Sequence, residues 1–224
     1  MKISKRMEEI KKEIDKDKTY TLEEAVKLIK KIASAKFDET VELSVKLGVD
    51  PRKSDQMVRG MVLMPHGVGK EKKELVLTRD KQKEALEAGA NWVGFDEFIE
   101  KIQNGWLEFD VCIATPSVMK EAAKLGKILG PRGLMPNPKA GTVTNDVGSA
   151  VSEIKKGRME FRMDKTGIIH LPVGKVSFPD EKLVSNIKEA IAAINSAKPK
   201  EIKGTYIKSL YLSSTMGPSI MIEG

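Results

Sequence analysis

Between residues 40 and 47 the chain alternates: Val41, Leu43, Val45 and Leu47 are apolar, and Thr40, Glu42, Ser44 and Lys46 beside them are polar. A period of two sends the two sets to opposite faces of a strand, one toward a core and one toward solvent. RGMVLMP reads as a second strand. Ahead of them, residues 1–35 read as helical, with Thr21 and Glu24 spaced as a capping box before AVKLIKKIA. From about residue 68 to 159 the pattern changes. KELVLT, NWVGF and EFDVCIAT are short, continuously apolar runs, and RDKQKEALEAG, DEFIEKIQNG and SVMKEAAKLGKIL are helical stretches that follow them. Strands that alternate with helices predict βαβ units and a parallel sheet covered on both sides.

Beyond residue 158 the strand patterns return in MEFRMD and GIIHLPVGKVSF, followed by a long helix, DEKLVSNIKEAIAAINSA, and a terminal pair, TYIKSLYLSST and SIMIEG. The two ends thus share one grammar, antiparallel strands with helices on one face, and the middle has another. The economical reading is an α+β domain made of residues 1–66 and 158–224, with an α/β domain inserted over 67–157; two consecutive domains are the other arrangement. Gly67, Gly69 and Gly157 sit at the two crossings as candidate hinges.

Composition changes this picture little. At 224 residues and 40% hydrophobic the chain can fill two cores. A net charge of +7, spread over a surface of both signs, points to a polyanionic partner. The charged start MKISKRMEEIKKEIDKDK lacks the apolar core of a secretory signal, and no run is apolar enough to span a bilayer. A soluble cytoplasmic protein without a membrane partner is expected. The one cysteine, Cys112, excludes an internal disulfide and reads as a strand-core thiol. The Lys- and Glu-rich composition suits a thermophile.

Catalytic constellations are missing. HGVGKE resembles a nucleotide loop only in part, because the Walker spacing is wrong and Glu71 stands where a magnesium-binding Ser or Thr belongs. Gly126, Gly130 and Gly133 miss the dinucleotide fingerprint and follow a helix, where a strand is required. His66 and His170 are far apart, and no metal set, cofactor or nucleophile pattern appears. LGPRGLMPNPKAGTVT, residues 129–144, is a loop by its glycines and prolines; Arg132 and Lys139 make it either a solvated connector or a phosphate contact.

That same loop resembles the signature of the ribosomal protein L1 family of bacterial type, found on the mobile stalk of the large subunit. KFDETVELSVKLGVDPRKSDQMVRG, MPHGVGK, ATPSVM, FRMDKTGIIHLPVGKVSF and SSTMGPSI are similar to the family in the same order, from Lys36 to Ile220; the charged N-terminal segment is similar only loosely. The resemblance implies a discontinuous domain I built from both termini and an inserted Rossmann-like, three-layer α/β domain II. It implies binding to stalk ribosomal RNA through Lys36, Phe37, Thr40, Glu42, Lys46, Lys165, Thr166, Gly167, Ser214, Thr215, Met216, Gly217 and Pro218. Arg132 and Lys139 become secondary RNA or interdomain contacts. A ribosome-bound protein that is a monomer when free, contacts exit-site tRNA and represses its own operon messenger RNA is what the family leads one to expect. A nucleotide-dependent enzyme on the α/β domain is the alternative, and an assembly protein without regulatory activity is a third.

Overall fold

The computed structural model describes residues 5–15, 18–53, 56–199, 202 and 204–223. The chain divides into two compact units, Met1–Gly69 with Met159–Gly224, and Lys70–Arg158. The fold is mixed α/β with two domains, the second inserted in the first.

In the discontinuous unit, β1 (Thr40–Leu47) is central in a four-stranded sheet of order β7-β1-β8-β9, with β7 spanning Ile168–Lys175, β8 Ile207–Ser214 and β9 Ile220–Ile222. All neighbours are antiparallel. The alternation in β1 is kept residue for residue: Val41, Leu43, Val45 and Leu47 are at most 1% exposed, and the residues between them are half-buried. At about 2 kcal/mol per buried side chain, this register is strongly specified, since a slip of one residue would expose all four. Two helices cover the apolar face. From α2 (Leu22–Ile32) come Ala25, Val26, Ile29 and Ile32, and from α8 (Asp180–Ser196) come Leu183, Ile187, Ala190 and Ile194. Spacings of three and four put each set on one helix face. The Thr21–Glu24 capping box starts α2 as the sequence predicts. The lysine Lys30 of α2 reaches Asp180 and the carbonyl of Phe178, at the start of α8. A separate two-stranded sheet pairs β2 (Arg59–Leu63) with β6 (Arg158–Arg162).

The N-terminal segment is not one helical run. A first helix, α1 (Lys5–Glu13), ends well before Tyr20, which bridges Ile222 and lengthens the sheet edge. The helical expectation for residues 1–4 and 16–17 lies outside the described residues.

The inserted unit is a three-layer sandwich around a parallel sheet of order β4-β3-β5, with β3 over Glu74–Leu77, β4 over Trp92–Gly94 and β5 over Val111–Ala114. Leu75, Leu77, Cys112 and Ala114 face one helical layer, which includes α4 (Asp96–Gln103); Val76 and Ile113 face the other. That second layer joins α3 (Gln82–Glu87) to α7 (Val147–Lys155) through Ala85, Ala150 and Ile154. Cys112 is a buried core thiol, pushed well above its usual pKa by burial. SVMKEAAKLGKIL is a right-handed path whose bonding alternates between α turns, α5 (Met119–Ala122) and α6 (Gly126–Leu129), and 3-10 turns. Pro116 at its start and Gly126 within it weaken a continuous helix.

Candidate nucleic-acid interface

The second face of the four-stranded sheet is polar. Register places Glu42 between Pro172 and Ser213, Ser44 between His170 and Tyr211, and Lys46 between Ile168 and Ser209. All these side chains are half-buried or exposed. Beside β8 and β9 the face meets α1 at a cleft of about 450 Å³ lined by residues including Met7, Ile14, Tyr211 and Pro218. The Ser44 hydroxyl lies 3.1 Å from His170 Nδ1, and Glu42 makes no ion pair among the described residues.

Two loops stand at one end of this face. The first holds Lys36 and Phe37, both exposed, with Phe37 at 56%. The second holds Thr215, Met216, Gly217 and Pro218, with Met216 at 49%. Neither Phe37 nor Met216 is a core residue, although large apolar side chains usually are. The loops are stitched together. Thr215 N–H donates to the Thr40 carbonyl at 3.1 Å and the Thr40 N–H to Thr215 Oγ1 at 2.9 Å. Gly217 N–H closes a turn on the Ser214 carbonyl, and a Cβ on Gly217 would stand 2.5 Å from Ser214 Oγ. Lys175 Nζ reaches Thr40 Oγ1 at 2.9 Å.

The third expected segment lies where β6 passes into β7. Asp164 Oδ1 accepts from the amides of Thr166 and Ile168, each at 2.8 Å, and Thr166 Oγ1 donates to the same carboxylate. Burial acts to raise the Asp164 carboxyl, but the Ile168 amide, the Thr166 hydroxyl and amide, and His170 hold it below its usual range. Lys46 Nζ caps the Thr166 carbonyl, and Lys165 is exposed. Gly167 is buried at φ +79°, so backbone conformation fixes its identity. Ser214 also points inward, at 3% exposed; Ser213 is its outward neighbour.

Sequence reasoning missed several of these groups. Ser44 was within its reach, because it shares the parity of Thr40, Glu42 and Lys46. His170, Tyr211 and Ser213 join the face only through register with β1, which is non-local. Glu39 was missed for another reason: it is 2% exposed, accepts from Ala35 N–H and Met216 N–H, each at 3.0 Å, and nothing local marks a buried carboxylate.

At the junctions, Gly67 and Gly69 have φ of +65° and +71°, and Gly157 of +106°. His66 and Gly67 are held by the buried Asn186 of α8, which accepts from His66 N–H and donates to the Gly67 carbonyl. In the inserted unit, residues 129–144 form an ordered edge: Asn137 and Thr142 close a loop on each other, and Val143 bridges Ala114. Arg132 is exposed; the side chain of Lys139 lies outside the described residues. At the carboxyl ends of the parallel strands, where folds of this kind receive phosphates, the Arg79 guanidinium is occupied by Asp96 and Glu121 at 3.0 Å each. Among the described residues, no group of three or more His, Cys, Asp or Glu is placed to hold a metal, and no helix is long and apolar enough to cross a membrane.

A polar sheet face bordered by loops with exposed lysine, hydroxyl and apolar side chains is the candidate interface. The profile of the Ribosomal protein L1p/L10e family matches residues 29–218. The chain belongs to that family, which is structural and not enzymatic, so the nucleotide-dependent enzyme falls away. It is 58% identical over 224 residues to the large ribosomal subunit protein uL1 of Thermosipho africanus, covering 99% of this chain and 97% of the relative. It is 55% identical over 224 residues to a uL1 protein of Thermus thermophilus, covering 99% and 98%. The uL1 protein of Protochlamydia amoebophila is 55% identical over 221 residues, covering 98% and 94%.

Proposed function

We propose that this chain is a ribosome-bound, cytoplasmic component of the large subunit that grips stalk ribosomal RNA with the discontinuous domain. Residues 1–66 and 158–224 supply the main site, and 67–157 carry Arg132 and Lys139 as secondary contacts. The observation that carries the reading is the pair of stitched loops at the end of the polar sheet face, which leave Phe37 and Met216 exposed among lysines and hydroxyls. Lysines answer phosphate; hydroxyls and the Glu42 carboxylate answer the ribose 2′-OH and base amino groups; Phe37 and Met216 pack on base or sugar.

Three RNAs meet the protein in this reading, and two of them share one site. The stalk position brings the protein to the exiting tRNA, and an operon messenger with a stalk-like fold competes for the one RNA face. A protein that binds the ribosomal site more tightly fills it first, then blocks its messenger when in excess. Because Asn186 holds His66 and Gly67 on the discontinuous unit, Gly67 is a poor pivot. Movement is proposed to begin at Gly69 on one crossing and at Gly157 on the other.

Binding of stalk RNA and of random RNA by the full chain, followed across salt, tests the assignment. Glu42→Ala and Thr215→Val are expected to weaken binding to stalk RNA selectively, whereas Lys36→Ala lowers affinity for both RNAs and reduces the salt slope by about one. Equal losses on the two RNAs for all three variants refute the division of roles.

A further inference from the structure

We infer that Glu39 is the positioning residue of the RNA face: its carboxylate ties the Phe37 loop to the Met216 loop and fixes both exposed apolar side chains in one arrangement. This rests on the RNA-binding reading above and goes beyond it, because Glu39 itself is only 2% exposed and is not one of the residues assigned to the RNA face.

Each carboxyl oxygen has its own task. Oε1 accepts from the Ala35 N–H at 3.0 Å, two residues before Phe37, and Oε2 accepts from the Met216 N–H at 3.0 Å. The Met216 peptide is held from its other end as well, since Arg6 Nη2 donates to its carbonyl at 2.5 Å. The backbone on which Met216 stands is therefore bonded at both its donor and its acceptor. The glutamate has a third connection through its own carbonyl, which accepts from the Val176 N–H just beyond β7. Three chain segments separated by up to 177 residues converge on one residue.

Burial acts to raise the Glu39 carboxyl. The Met216 amide, the Ala35 amide and the Arg6 charge outweigh it and hold the group below its usual value. It stays ionised, and an ionised carboxylate accepts two amides at once. A glutamine of the same shape cannot, because its NH2 group would face one of the two N–H donors. The order of these loops therefore depends on two acceptor oxygens held at the reach of a glutamate, which makes Glu39→Gln a sharp probe.

The rotamer freedom of Phe37 and Met216 is the quantity at stake. An exposed apolar side chain contributes most to RNA binding when its backbone is already held, since otherwise the cost of ordering it lowers affinity. Glu39→Gln should weaken binding to stalk RNA by about ten- to thirtyfold. Phe37→Ala should cost much less in the Glu39→Gln background than in the parent, because the ring is already misplaced. Glu39→Asp, too short to span both amides, should behave like the glutamine variant. A purely structural role would give additive losses.

The test combines a double-mutant cycle on the full chain, with stalk RNA as the probe, and amide hydrogen exchange on the free protein. Faster exchange at Ala35 and Met216 in Glu39→Gln, with non-additive losses in the cycle, supports the proposal. Unchanged exchange at both amides overturns it, as do additive losses. Failure of the parent protein to prefer stalk RNA over random RNA overturns the RNA reading instead, and exchange at the two amides then still decides whether Glu39 clamps the loops.

Discussion

Asn186 is fully buried in α8, and its amide answers three backbone groups at once. Oδ1 accepts from His66 N–H at 3.2 Å, and Nδ2 donates to the carbonyls of Gly67 and Val173, both at 2.8 Å. One donor and two acceptors fix the orientation of the amide, since the flipped form would oppose all three. Asn186→Ala strands those groups. At about 1 kcal/mol for each lost bond, with the remaining backbone groups poorly solvated, the loss is about 3 to 4 kcal/mol; the better helix propensity of alanine offsets roughly 0.5. A net cost near 3 kcal/mol corresponds to roughly 6–12 °C in Tm for a chain of this size. Tyr20, Tyr206 and Tyr211 lie in the discontinuous unit, and Trp92 and Trp106 in the inserted one. Tyrosine circular dichroism should therefore record the loss, and tryptophan fluorescence should record much less of it. Asn186→Asp sharpens the test. An ionised Asp keeps the His66 N–H but sets an acceptor against two carbonyls, so its pKa rises above the ordinary value on folding. The sign follows: its penalty is absent below the unfolded pKa of about 3.9 and grows as pH rises toward the folded value. Asn186→Asp should thus gain on Asn186→Ala as the medium is acidified. A cost below about 1 kcal/mol for the alanine, with the aspartate following it at every pH, would refute the account.

Two further outcomes are expected. Glu74 on β3 is fully buried, and neither carboxyl oxygen has a hydrogen-bond partner among the described residues. Burial raises its pKa, against the pull of Lys155 and Lys72, so ionisation at neutral pH opposes folding. Glu74→Gln should stabilise the inserted unit by about 1 kcal/mol at about pH 7.5, and the gain should shrink as pH falls toward the carboxylate range, in denaturant titrations followed by tryptophan fluorescence; a loss at neutral pH would count against it. Gly217→Ala drives a methyl to 2.5 Å from Ser214 Oγ and should cost about 1–2 kcal/mol. Adding Ser214→Ala should restore most of that in thermal unfolding, and a double variant no better than the single one would show that the contact is not the cause.

Legibility in the sequence followed the range of the interaction. β1, α2 and α8 were readable because each carries its own period, and the Thr21–Glu24 box was readable because its partners are three residues apart. The parallel strands β3, β4 and β5 were readable as buried apolar runs. α7 went unread although Asp146 caps it and Val147, Ala150, Val151 and Ile154 keep helical spacing; the turn-rich run before it hid the start. On the polar face, the chemistry of the Thr215–Gly217 loop is a weak signal by itself, because hydroxyls and a glycine are common loop residues, and resemblance to a family sharpens it. Asn186 and Glu39 escaped both routes: each acts on backbone groups far away in sequence, and only the fold brings those groups into reach.

The position of β1 limits how the polar face can recognise a partner. β1 lies between β7 and β8, so its backbone donors and acceptors are engaged in ladders to either side. Its main chain is not available to pair with a polymer, and recognition there falls to the side chains of Thr40, Glu42, Ser44 and Lys46. β7 is an edge strand of the sheet, and in the loops at the end of the sheet Glu39 and Arg6 already engage the Met216 peptide. What these loops present at Met216 is therefore a side chain on a peptide already bonded at both its donor and its acceptor. If RNA is the partner, as proposed, such a surface would distinguish RNAs by the placing of 2′-hydroxyls, base edges and stackable faces, and that discrimination would be lost when the loops loosen even with every contacting side chain kept. On the proposed RNA-binding reading, the residues that determine specificity in this domain thus include Glu39, which is buried beneath the loops.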